Sequence, residues 1–183
     1  MQKTNLAIYD NHPYHPGGNA IKRLLWYYVN LFFFQSGLIP ASGILVFLLR
    51  LFGAKIGKGV TVKPFANIKY PWLLQVGNHV WIGEKVWIDN LVVVRIGDNV
   101  CLSQGALLLT GSHNYKKTSF DLIVGEINIS EGAWICAQAV VTAGITIGSH
   151  AMLAAASVAN ANLEPYSIYQ GNPARKIRDR IIS

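Results

Sequence analysis

His113 is the residue whose setting most suits chemistry. It lies in the stretch Gly111-Ser112-His113-Asn114-Tyr115-Lys116-Lys117. An imidazole changes charge near neutrality and can take the proton of a hydroxyl as that hydroxyl attacks a carbonyl. Taken alone, a loop histidine is more often a solvated surface residue. No side chain stands out as its orienting partner: Asp121 and Glu126 are nearby in sequence, and a backbone carbonyl would serve as well. Cys101 and Cys136 are isolated, with no histidine nearby in sequence. They fit a reducing compartment better than a disulfide framework.

Basic residues form a second candidate group. The formal net charge is +7, and part of the excess sits in Arg175-Lys176-Ile177-Arg178-Asp179-Arg180, with Lys116-Lys117 elsewhere. Such a balance suits an anionic ligand, a membrane surface or nucleic acid. Nucleic acid is the weakest of the three, because no nucleic-acid motif is present.

The elements that must position these residues follow from a six-residue period. Aliphatic residues return at Ile56, Val62, Ile68, then Val76, Ile82, Ile88, then Ile96, Leu102, Leu108, and resume at Ile129, Ile135, Val141, Ile147, Leu153. Two residues before many of them stands another apolar or small residue, as in Val80, Val86, Val100, Ala139 and Ile145. That alternation puts both side chains on one face of a short strand. The reset after six residues demands a turn, which Gly, Asn or Asp after the aliphatic is expected to supply. Three strands and turns close one triangular coil, and stacked coils bury a column that no single coil could bury. The steps from Ile68 to Val76 and from Ile88 to Ile96 are each eight residues long. They lie one coil apart and therefore stack on one corner. The pattern predicts an all-β solenoid, a parallel β-helix, rather than a sandwich of short strands.

The hexads break at Thr110 and resume near Ile127, so His113 sits in a long loop leaving a regular body, where function is common. At 183 residues, half of them apolar, the chain forms one domain with appendages and is not disordered. We divide it into an extension over 1–53, the β-helix over 54–163 with its loop at 110–126, and a tail over 164–183. The start reads as a polar stretch over 9–19 without a signal peptide. Residues 24–49 carry no charge, a length that would allow a span, but Gly37, Pro40, Ser42 and Gly43 interrupt it. Two apolar helices are expected, roughly over 19–35 and 41–52. They pack on the prism or on a partner subunit; their aromatic content leaves peripheral membrane contact open.

The hexads, the Thr110-Gly111-Ser112-His113-Asn114-Tyr115 loop and the tail Gly171-Asn172-Pro173-Ala174-Arg175 resemble the left-handed β-helix acyltransferases. The resemblance is strongest to the colanic-acid-type exopolysaccharide acetyltransferases, which are related to galactoside and maltose acetyltransferases. It extends through Gly17-Gly18-Asn19, 48–57 and Lys69-Tyr70-Pro71-Trp72, so it spans nearly the whole chain. It implies a left-handed helix and direct transfer of an acetyl group from acetyl-CoA, with no metal. In that scheme His113 is the general base, the Ala137 backbone N–H stabilises the oxyanion, and Asn90 holds the acceptor hydroxyl. Trp134 and Ala155 lie along the pantetheine arm. Asn160 marks a corner that often carries threonine and lysine, a lysine missing here. Arg175 meets the CoA phosphates, with Lys176 and Arg178 assisting. The resemblance further implies a homotrimer, with His113 of one subunit facing the CoA groove of the next.

Two other readings remain beside it. A γ-type carbonic anhydrase shares the fold but needs three zinc histidines, and here the residue five after His113 is Thr118, with His79 the only upstream histidine in the prism. A non-catalytic, membrane-associated β-helix subunit is favoured mildly by Ala154-Ala155-Ala156, where glycines are common. The retained histidine loop speaks against it. The sequence is best read as a cytoplasmic O-acetyltransferase acting on a sugar or lipid-linked saccharide, with the inner face of the membrane as an option.

Overall fold

The computed structural model describes residues 3–12 and 14–183; Met1, Gln2 and Pro13, which fall within the expected extension, lie outside the described residues. The body is a left-handed parallel β-helix of about six turns. Its strands are two or three residues long and build three parallel sheets. The first sheet stacks Lys55–Ile56, Leu74–Val76, Val94–Ile96, Ile127–Ile129 and Thr146–Ile147. The second stacks Thr61–Val62, Trp81–Ile82, Cys101–Leu102, Trp134–Ile135 and Met152–Leu153. The third stacks Asn67–Ile68, Trp87–Asp89, Leu107–Leu109, Val140–Val141 and Val158–Ala159.

Register turns the sequence period into a core. Val62, Ile82, Leu102, Ile135 and Leu153 lie directly over one another, all fully buried. Ile68, Ile88, Leu108, Val141 and Ala159 do the same on the third sheet. Each aliphatic side chain so buried contributes about 1.5–3 kcal/mol, and it does so only because a coil lies above and below it.

The turns depart from expectation in one respect. Gly57, Gly77, Gly97 and Gly148, which follow the hexad aliphatics, do not have positive φ. They are required by stacking: a Cβ on Gly148 would stand 2.5 Å from Pro165 N, and one on Gly97 2.7 Å from Glu131 N. The left-handed corner falls two residues later and is filled mostly by other residues, among them His79, Asn99, Gln138, His150 and Ala156.

The N-terminal helices cap the first coil. Helix α1, Ala20–Val29, is capped by the Asn19 side chain, which accepts the Lys22 N–H at 2.8 Å. It runs on through a π-helical stretch, Asn30–Gln35. Helix α2 spans Ser42–Leu51. Trp26 is buried between them and the prism, donating Nε1–H to the Ile68 carbonyl at 2.8 Å and touching the rings of Phe34 and Phe52. At the other end the basic tail takes strand form. Ser167–Gly171 extends the second sheet in parallel, and Ala174–Asp179 folds back against it antiparallel.

Candidate active site

His113 is held on a clamped hairpin. Gly111–His113 pairs antiparallel with Leu122–Val124, placing His113 opposite Leu122. The hairpin leaves the prism between the third and first sheets, the corner that also carries the insertions at 69–73 and 90–93. Its root is pinned by buried Thr110, whose Oγ1 accepts the Leu91 N–H at 2.7 Å and donates to the Asp89 carbonyl at 2.9 Å. The chain re-enters at Gly125, where a Cβ would stand 2.5 Å from Gly144 N.

The orienting group for His113 is a backbone carbonyl. His113 Nδ1 lies 2.9 Å from the Phe120 oxygen, and the two rings stack at 4.4 Å, only 8° from parallel. A carbonyl can only accept, so this contact puts the proton on Nδ1 and leaves the Nε2 lone pair free to take one. Phe120 adopts φ 53°, a left-handed conformation costly for an aromatic residue. Neither acidic neighbour does this work. Asp121 pairs with Lys117 at 3.0 Å, and Ser119 and Lys117 hold its carboxyl below the usual range. Glu126 pairs with Arg95. No sequence signal marks Phe120, because the acting group is its carbonyl.

Asn90 is turned into the protein. It is fully buried, its Oδ1 accepting the Tyr70 N–H at 3.0 Å and its Nδ2 donating to the Tyr70 carbonyl at 2.7 Å. Both ends of the amide are thereby used in tying one insertion to the other.

The residues expected to meet CoA fall in several places. Trp134 lies on the outer face of the second sheet, in register with Cys101 and Met152, and donates Nε1–H to Ser103 Oγ at 2.8 Å. Ala137 and Ala155 occupy the same position in successive turns between the second and third sheets. The Ala139 N–H closes the lower turn on Cys136 O, and the Ser157 N–H closes the upper one on Ala154 O. Neither the Ala137 nor the Ala155 N–H has an acceptor among the described residues, so both are available to a ligand. Asn160 is exposed at the corner of His113, not that of Ala155. In the tail, Arg175 is exposed, and among the described residues its guanidinium contacts only the Ala174 carbonyl. Lys176 pairs with both Asp179 and Glu164 at 3.0 Å, which raises its pKa. Arg178 is exposed opposite Ile168.

One chain does not bring these groups together. His113 stands at the corner after the third sheet and Ala137 at the corner before it. From Ala137 to Thr142 the third-sheet strand covers roughly 16 Å at ~3.3 Å per residue. A cleft of about 590 Å³ does open beside the histidine hairpin, between it and the N-terminal segment, with polar groups from Asp10, Asn114, Lys117 and Asp121 and an apolar side from Leu122, Ile123 and Val124. That segment is fixed to the hairpin by the Asn5 N–H, which donates to the Thr118 carbonyl at 2.8 Å.

Comparison with known proteins bears on this arrangement. No family model matches the chain. The acetyltransferase WcaF assigned to colanic acid biosynthesis in Escherichia coli K12 is 38% identical over 165 residues, covering 90% of this chain and 91% of that protein. Among solved structures, a hexapeptide-repeat acetyltransferase of Vibrio cholerae O1 biovar eltor, complexed with acetyl coenzyme A, superposes with a TM-score of 0.80 at 24% identity, covering 88% of each chain. A maltose O-acetyltransferase of Clostridium difficile 630 gives 0.74 at 22% identity, again covering 88% of each. The two structures share the fold; the identity and coverage of the first relative go further, and the chain belongs to the family of the colanic-acid-type hexapeptide-repeat acetyltransferases.

Proposed function

We propose that the protein transfers an acetyl group from acetyl-CoA to a hydroxyl of a sugar or lipid-linked saccharide, with His113 as general base. The observation that carries this is the contact of His113 Nδ1 with the Phe120 carbonyl, which leaves Nε2 as an acceptor. In this scheme the acceptor hydroxyl gives its proton to Nε2 while its oxygen attacks the thioester carbonyl. The tetrahedral oxyanion is met by the Ala137 N–H, and its collapse expels the CoA thiolate. No acyl-enzyme forms, so Cys101 and Cys136 have no part.

Acetyl-CoA fits the outer edge of the prism. The two alanines leave the stacked turn N–H groups uncovered, Trp134 offers an apolar wall, and exposed Arg175 offers a guanidinium to phosphate. Because His113 and Ala137 stand on different corners, the complete site is shared between subunits, His113 of one facing the donor groove of the next. A homotrimer supplies this with three equivalent sites. The cleft lined by Asp10, Asn114 and Lys117 offers a place for the acceptor.

The test is a thermal shift with acetyl-CoA on the wild type and His113→Ala, followed by CoA release with a panel of hexoses and their aryl glycosides. At about 100 times Kd the donor adds about 2.7 kcal/mol to both proteins. Only the wild type should release CoA at a rate above background. Absence of any shift at millimolar donor would sink the donor assignment.

A further inference from the structure

The capping helices are apolar on the side that faces away from the prism. A helix on a globular body normally turns its polar face outward. Here α1 and its π-helical continuation bury Trp26 and Phe34 while exposing Leu24 (57%), Tyr28 (50%) and Phe32 (60%). These share one face, since the rings of Tyr28 and Phe32 stack within 18° of parallel. Helix α2 buries Leu45, Val46 and Leu49 while exposing Ile44 (45%), Phe47 (62%) and Leu51 (65%). Spacings of three and four residues make a second outward stripe. The two helices are neighbours, joined through Trp26 and Phe52.

The charge of the chain is concentrated around this surface. Between Asp10 and Glu84 there is no acidic residue and there are seven basic ones. The chain has sixteen basic residues in all; removing these seven leaves nine, which match its nine acidic residues. Residues 11–83 thus carry a formal +7, and the positive tail is balanced by the acidic residues of the rest of the chain. Among the described residues Lys69 alone of the seven has an acidic partner, Asp89. Arg50, Lys55 and Lys58 are exposed beside the helices and the first coil.

We infer that this end of the prism seats on the surface of an anionic lipid bilayer, with the outward stripes of α1 and α2 entering the headgroup boundary and the surrounding cations meeting lipid phosphates. An apolar stripe alone would also suit a second copy of the chain. A second copy brings the same uncompensated cations to the contact, where like charges repel, whereas an anionic leaflet neutralises them. The seat is interfacial: among the described residues no helix is long and apolar enough to cross a membrane. It is independent of the reaction at His113.

Flotation of the full chain with vesicles decides the matter, comparing phosphatidylcholine alone with equimolar phosphatidylcholine and phosphatidylglycerol at low ionic strength. The wild type and His113→Ala should both rise with the anionic vesicles and much less with the neutral ones. Phe32→Ser/Phe47→Ser should lose at least tenfold in partitioning at an unchanged melting temperature. Because that variant disturbs a helix pair, Lys55→Gln/Lys58→Gln gives a second arm, with about a fivefold loss per cation on anionic vesicles only. Folded wild type that stays unbound to both vesicles overturns the inference. So does a serine variant that floats like the wild type, or one that instead loses an oligomer seen by light scattering without lipid.

Discussion

The imidazole of His113 and the backbone of Phe120 form one unit: Nδ1 is 2.9 Å from the Phe120 oxygen while the rings stack face to face. The carbonyl fixes the tautomer and the ring fixes the tilt. Phe120→Ala keeps the carbonyl and removes the stack. We expect kcat to fall about ten- to a hundredfold through loss of alignment, with KM for acetyl-CoA unchanged. A rise in KM without a fall in kcat would assign Phe120 to binding instead.

Asn90→Ala should act on stability rather than on acceptor binding. It leaves the N–H and carbonyl of Tyr70 without their partners in a buried corner, which costs about 1–3 kcal/mol for an unsatisfied buried group. Calorimetry should show a lower melting temperature. An unchanged melting temperature together with a much weaker acceptor KM would restore the acceptor role.

The two basic residues of the tail should separate on mutation. Among the described residues Arg175 has no carboxylate partner, whereas Lys176 is held by two. Arg175→Ala is expected to weaken acetyl-CoA binding roughly tenfold, the order of one charge-assisted hydrogen bond. Lys176→Ala should change it little. Titration calorimetry on both variants distinguishes the pair.

Cys136 should be inert to thiol reagents in the folded protein. Burial, and then neighbouring Cys101, push its thiol up to about 11, so the reactive thiolate is scarce at pH 8. In Cys101→Ser, Ellman's reagent should react slowly until guanidinium unfolds the chain. Fast labelling at pH 8 in native buffer contradicts this.

Two glycines should respond to alanine with opposite sign. Gly148→Ala drives a Cβ into the backbone of the next coil at Pro165 and should destabilise by about 1–3 kcal/mol. Gly43, in α2, has nothing within 4 Å of its Cβ position. Gly43→Ala should add about 0.4–1 kcal/mol by restricting the unfolded chain. Denaturant melts measure both.

The body of the fold was legible because its period is short and strict. Val62, Ile82 and Leu102 announce their stacking by spacing alone, and the paired eight-residue steps locate the corner from which the histidine hairpin leaves. What escaped depends on backbone geometry that side-chain type does not encode. The orienting carbonyl belongs to a phenylalanine in a left-handed conformation. The left-handed corners hold Gln138 and Ala156 rather than the conspicuous glycines, which serve close approach between coils. The contacts of Asn90 with Tyr70 and of Lys176 with Glu164 also escaped, because each joins residues from different turns.

The folded-back strand at the C-terminal end bears on how the molecule stays discrete. A stack of parallel coils ends in bare peptide edges, and such an edge is a template for the next chain to add itself. Here Ala174–Asp179 runs against the grain of the second sheet, so its outer edge presents an antiparallel, charge-rich border to any incoming coil. The Arg180 guanidinium fastens it by donating to the carbonyls of Gly132 and His150. The tail thus closes the C-terminal edge of the second sheet with a strand of the opposite sense, a poor template for a further parallel coil.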